Sequence, residues 1–154
     1  MTLEEAIKTA LEYEVKVRDT YRKAASFYTE LAGKMDASHM TRIFLDFAKE
    51  EKGHKAKLLQ VKSGKQMHAA EKQIMDLKIG DYLEDVELSS DIRYQDALIL
   101  AMKAEKAAFK LYNDLAAATD DPGLKATLLA LAQEEAKHKL RFEIEYDDSV
   151  LKDN

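Results

Sequence analysis

Residues 132–140 read AQEEAKHKL. They continue an amphipathic stripe set by Leu128, Leu131 and Phe142, yet the inward positions of this stretch hold Glu135 and His138. Residues three apart share a helix face, so both side chains point where apolar ones belong. The stretch EKGH, Glu51 to His54, repeats the Glu-x-x-His spacing inside the stripe of Phe44, Phe47 and Leu58. Glu14 interrupts a third stripe and Glu105 a fourth.

Apolar periodicity around these residues predicts four helices, at about 3–32, 38–63, 91–119 and 122–147. Thr2 with Glu5 forms a capping box for the first, and Gly33 ends it. KMDAS, residues 34–38, reads as the following turn, and the second helix stops near Gly64. Leu98, Ala101, Met102, Ala108, Phe109, Tyr112, Leu115 and Ala116 set the inner face of the third. Asp121 and Pro122 start the fourth, as cap and first helical residue. From 64 to about 91 the periodicity weakens, leaving a long crossover with room for one short helix over AAEKQIMDL, residues 69–77. The expected fold is all-α: a single-domain four-helix bundle of two helical hairpins joined by that crossover.

The two halves echo each other. A tyrosine follows seven residues after Glu14, at Tyr21, and seven after Glu105, at Tyr112, while the Glu-x-x-His element recurs at Glu51 and Glu135. In the second hairpin the arms flanking the turn match in length; in the first, the arm after Glu14 is a few ångströms too long, a mismatch for the turn to absorb.

Composition narrows the chemistry. The chain has 154 residues, a formal charge of −5 and no cysteine. Disulfides, thiolate zinc sites, iron–sulfur and rubredoxin centres and thiol catalysis are therefore excluded from it. The acidic balance, without a clustered basic stripe, argues against nucleic acid as a partner. No apolar run approaches the roughly 20 residues that cross a bilayer, and the acidic amino terminus is unlike a signal peptide, so no membrane partner and a cytoplasmic location are expected.

A buried carboxylate costs several kcal/mol without compensation. Four together exceed the roughly 5 to 15 kcal/mol that holds a domain together, so they require positive charge or protons. Two divalent cations balance four carboxylates, and a donor set of Glu14, Glu51, His54, Glu105, Glu135 and His138 suits iron or manganese better than tetrahedral zinc. Glu50 and Glu134, beside the helix-borne Glu51 and Glu135, read as solvated charges, with hydrogen bonding to a neighbouring histidine as the alternative. His39 and His68 read as exposed surface histidines.

With these residues the chain resembles the ferritin-like superfamily and, within it, the rubrerythrin-like proteins, over nearly its whole length. The resemblance implies two iron ions and no haem: Glu14 and His54 hold one, Glu105 and His138 the other, and Glu51 and Glu135 bridge. It places Tyr21 and Tyr112 near the carboxylates as catalytic candidates, the alternative being core packing. Several positions depart from relatives. Lys52 stands where bacterioferritin carries its haem-ligating Met, and Ala108 where rubrerythrins proper carry a further glutamate. The cysteine-bearing rubredoxin domain is absent, so electrons are expected from a separate carrier such as a rubredoxin. The tail YDDSVLKDN is short and acidic, where ferritin cages add a fifth helix. The implied function is a di-iron oxidoreductase acting on peroxide or dioxygen in oxidative-stress defence, as a homodimer. Iron handling as a ferroxidase is the first alternative, and a helical interaction module with structural metals the second.

Overall fold

The computed structural model describes residues 3–29, 35–61, 87–89 and 91–153. Four helices fill them: α1 (Leu3–Thr29), α2 (Met35–Val61), α3 (Tyr94–Ala118) and α4 (Pro122–Asp153). No strand occurs among the described residues. Thr2, Gly33, Gly64, His68 and the expected short helix in the crossover lie outside them.

Helices α1 and α2 pack along each other, as do α3 and α4, while α1 against α3 and α2 against α4 touch more sparsely. The architecture is thus two hairpins laid together in an all-α ferritin-like bundle. Asp121 Oδ1 accepts a hydrogen bond from the Leu124 backbone N–H at 2.7 Å, capping α4 as its sequence predicts.

The boundaries differ from expectation in instructive places. Helix α2 begins at Met35, so most of KMDAS is its first turn. Asp and Ser suit the first turn of a helix as well as they suit a loop, because the exposed N–H groups there favour oxygen acceptors. With residues 35–37 in the helix, the second arm extends at least sixteen residues ahead of Glu51, three more than the sequence reading allowed. Helix α4 runs on to Asp153 because no Gly or Pro follows Gly123 to stop it. Phe109, expected on the inner face of α3, is 38% exposed, whereas its neighbour Ala108 is buried.

The core is divided. One buried cluster holds Val17, Tyr21, Phe44, Phe47, Leu98, Met102 and Phe142; a second holds Ile7, Leu58, Tyr112, Leu115, Leu124, Leu128 and Leu131. Along every helix the charged residues fall between the two: Glu14 between Ala10 and Val17, Glu51 and His54 between Phe47 and Leu58, Glu105 between Met102 and Ala108, Glu135 and His138 between Leu131 and Phe142. Apolar packing on both sides fixes the level of this polar layer and keeps water from its ends.

Candidate metal centre

The six residues singled out in the sequence meet in that layer, and all six are buried. Their donor atoms form two groups, Glu14–Glu51–His54–Glu135 and Glu51–Glu105–Glu135–His138, each with its donors within 4.8 Å of one another. Glu51 and Glu135 belong to both groups; Glu14 and His54 belong to one, Glu105 and His138 to the other. The rings of His54 and His138 lie parallel, with centroids 5.5 Å apart.

Each histidine turns Nδ1 toward the carboxylates. His54 Nδ1 lies 2.7 Å from Glu135 Oε1, 3.3 Å from Glu14 Oε1 and 3.4 Å from Glu51 Oε2. His138 Nδ1 lies 3.0 Å from Glu51 Oε1 and 3.6 Å from Glu105 Oε2. The opposite ring edges meet carboxylates outside the cluster: His54 Nε2 is 2.6 Å from Glu134 Oε2, and His138 Nε2 is 2.6 Å from Glu50 Oε2. Glu50 and Glu134 are therefore not simply solvated charges, as their sequence positions suggested. A sequence shows that each precedes an inward glutamate, but not that the neighbouring helix brings a ring nitrogen to it.

The tyrosines work from the two apolar ends. The Tyr21 hydroxyl donates to Glu105 Oε1 and the Tyr112 hydroxyl to Glu14 Oε1. Each tyrosine thus serves the carboxylate of the other hairpin, and does so from inside its packing cluster; Tyr21 contacts the rings of Phe44, Phe47 and Phe142. Packing and polar roles are combined in one side chain. A third tyrosine escaped the sequence reading: Tyr13 donates to the Ala104 carbonyl at 2.7 Å, tying α1 to α3 beside Glu14 and Glu105. Its only sequence signal was its place next to Glu14. His39 is surface-exposed, with Nε2 2.8 Å from Glu145 Oε1, and is remote from the cluster in sequence and in partners.

Within the polypeptide alone, this layer is electrostatically unbalanced. Burial pushes the Glu14 carboxyl up to about 10, against the pull of its hydrogen bond with His54. Burial and the charges of Glu135 and Glu51 hold Glu105 well above the usual carboxylate range. Burial acts against charge on both histidines, yet hydrogen bonds to the surrounding carboxylates outweigh it and raise them. For Glu51 burial is likewise outweighed, here by its bonds to His138 and His54, and the carboxyl is held low. Protons on Glu14, Glu105 and the rings thus take the place of cationic charge.

The donor set fits a pair of cations on an independent count. Glu14 Oε2, Glu51 Oε2, Glu105 Oε2 and both oxygens of Glu135 are buried and receive no well-aligned hydrogen bond among the described residues, although His54 Nδ1 approaches Glu135 Oε1 to 2.7 Å. Buried carboxylate oxygens are ordinarily satisfied. These five oxygens all belong to residues of the two donor groups.

A model of the Rubrerythrin family matches residues 21–146. The chain belongs to the rubrerythrin family. The match includes Tyr21, Glu51, His54, Glu105, Tyr112, Glu135 and His138 and begins after Glu14, so Glu14 joins the rubrerythrin cluster on geometry. No curated protein and no solved structure matches the chain. The chain pairs a helical bundle with a buried carboxylate and histidine cluster compatible with a di-iron site. None of its described helices is long and apolar enough to cross a membrane.

Proposed function

We propose that this rubrerythrin-family protein is a di-iron oxidoreductase that reduces peroxide or dioxygen and so protects the cell from oxidants. The observation that carries the reading is the pair of buried donor groups sharing Glu51 and Glu135, with their unsatisfied carboxylate oxygens. In this reading Glu14 and His54 would hold one ion and Glu105 and His138 the other, with Glu51 and Glu135 available to both; manganese would be an acceptable substitute for iron by donor type. Bound iron would supply the electrons that cleave an O–O bond.

The protein's own residues do the rest. Tyr112 and Tyr21 each occupy one oxygen of a terminal carboxylate, Glu14 or Glu105, and leave Oε2 free to ligate. Their hydroxyls lie directly against carboxylates of the buried layer, which makes both tyrosines candidates to donate a proton to the reacting oxygens. The two apolar clusters exclude bulk water from either end. In this reading a carrier of the rubredoxin type would deliver electrons, and the working unit would be a homodimer.

The test is direct. Protein produced in iron-supplemented medium should contain about two metal equivalents per chain, one for each donor group. The reduced form should change its visible spectrum on adding hydrogen peroxide and consume peroxide when given an external donor. A reduced, iron-loaded protein that stays spectrally silent with both peroxide and dioxygen would overturn the oxidoreductase reading.

A further inference from the structure

The outer edge of the cluster opens to a groove of about 440 Å³ between α2 and α4, lined by Glu50, Gly53, Lys57, Glu134, Lys137 and Arg141 together with both histidines. Across it run two matching chains of contacts. His54 on α2 meets Glu134 on α4 at 2.6 Å, and Glu134 is held in turn by Lys57 on α2 at 3.0 Å. His138 on α4 meets Glu50 on α2 at 2.6 Å, and Glu50 is held by Arg141 on α4 at 3.3 Å. Arg141 is itself seated over the Phe47 ring at 4.7 Å. Both contact chains leave a hairpin, cross to the other and return.

We propose that Glu50 and Glu134 are positioning residues, each of which aims the histidine of the opposite hairpin at the buried cluster, so that the docking of the two hairpins and the shape of the metal centre are set together. The inference rests on the metal-binding reading above. An imidazole has two nitrogens, and a hydrogen bond that fixes the proton on one leaves the lone pair of the other for a cation. Glu134 and Glu50 accept from Nε2, and Nδ1 is the nitrogen that faces the carboxylates at both rings. Helices α2 and α4 also meet where Phe47 packs on Phe142, with centroids 4.1 Å apart, and these contacts act together with that packing on how closely Glu51 approaches Glu135. Lys57 and Arg141 keep the two carboxylates extended across the groove rather than turned toward solvent.

The experiment uses cobalt(II) as probe, titrated into the metal-free full chain and followed by calorimetry and by its visible absorption. Glu134→Ala should lower the affinity for one of two ions about 10- to 100-fold and leave the other nearly unchanged, the range that loss of such a partner typically produces. Glu50→Ala should do the same to the other ion. Glu134→Gln, which keeps an uncharged acceptor, should lose less.

The crossed pairing gives a signature that general destabilisation does not. Glu134→Ala should have no added effect in a His54→Ala background and its full effect in a His138→Ala background, with the reverse for Glu50→Ala. In the NMR spectrum of the metal-free protein, the Nε2–H proton of His54 should disappear or shift selectively in Glu134→Ala. Additive effects in both backgrounds, or unchanged cobalt affinity in both alanine variants while the wild type binds normally, would overturn this inference alone. Failure of the wild type to take up cobalt(II) would overturn the metal-binding reading on which it stands.

Discussion

Glu134 sits beside Glu135 in the sequence, yet its carboxylate reaches the other hairpin and stands 2.6 Å from Nε2 of His54. The tyrosines cross in the same way, Tyr21 to Glu105 and Tyr112 to Glu14. Each half of the bundle therefore completes the cluster of the other, and the polar layer joins the two hairpins between apolar clusters that also span them.

The shared carboxylates separate two classes of variant. Glu51→Ala and Glu135→Ala each remove a member of both donor groups and should abolish binding of both ions, whereas Glu14→Ala and Glu105→Ala remove a member of one and should leave about one equivalent. Elemental analysis of purified variants checks this. Retention of one ion in both bridging variants would sink the shared assignment.

The tyrosine hydroxyls should differ in cost. Glu14 Oε1 also lies 3.3 Å from His54 Nδ1, so Tyr112→Phe leaves it a partner. Tyr21→Phe removes the donor that holds Glu105 Oε1 while preserving the ring packing with Phe44, Phe47 and Phe142. Loss of a buried partner typically costs about 1–3 kcal/mol, so Tyr21→Phe should be the more destabilising of the two in chemical denaturation of the metal-free protein. Equal midpoints for both variants would contradict the assignment.

Protons and cations should compete for the layer. Glu14 is raised in the folded chain from the usual 4.5 to about 10, so its stabilising contribution is full below 4.5 and is lost as pH rises toward 10. Glu105, His54 and His138 are raised as well and act in the same direction, the histidines from 6.5 upward. Glu51 is lowered and acts oppositely, losing its contribution only as pH falls below 4.5. The melting temperature of chelated protein should therefore fall between pH 6.5 and 9, while metal-loaded protein should melt higher and change less over that range. Loading at neutral pH should also release protons, measurable with an indicator dye in weak buffer. A chelated protein whose melting temperature rises across this interval would contradict this balance of protons and charge.

Gly53 lies in the middle of α2, and a Cβ built there meets nothing within 4 Å. Gly53→Ala should stabilise the protein by about 0.5–1 kcal/mol, because alanine loses less backbone entropy on entering a helix. Metal affinity should stay the same, since the added methyl has no contact to disturb. Urea denaturation and a metal titration check the two halves of this expectation.

Much of this was readable from residues 132–140 and their counterparts. Inward Glu and His at i and i+3 within an apolar stripe identify a buried polar layer in any sequence, because helical periodicity fixes the face a residue occupies. Four such interruptions, in Glu14, Glu51 with His54, Glu105, and Glu135 with His138, marked the bundle, the layer and the six residues that meet in it. Periodicity carries no information about a neighbouring helix. The tertiary structure alone decided that Glu50 and Glu134 meet histidines of the opposite hairpin, that Tyr13 fastens α1 to α3, and that Tyr21 and Tyr112 each serve the opposite hairpin. Those roles depend on how helices distant in sequence are laid together, a matter settled by side-chain packing on both sides of the layer rather than by the spacing within any one helix.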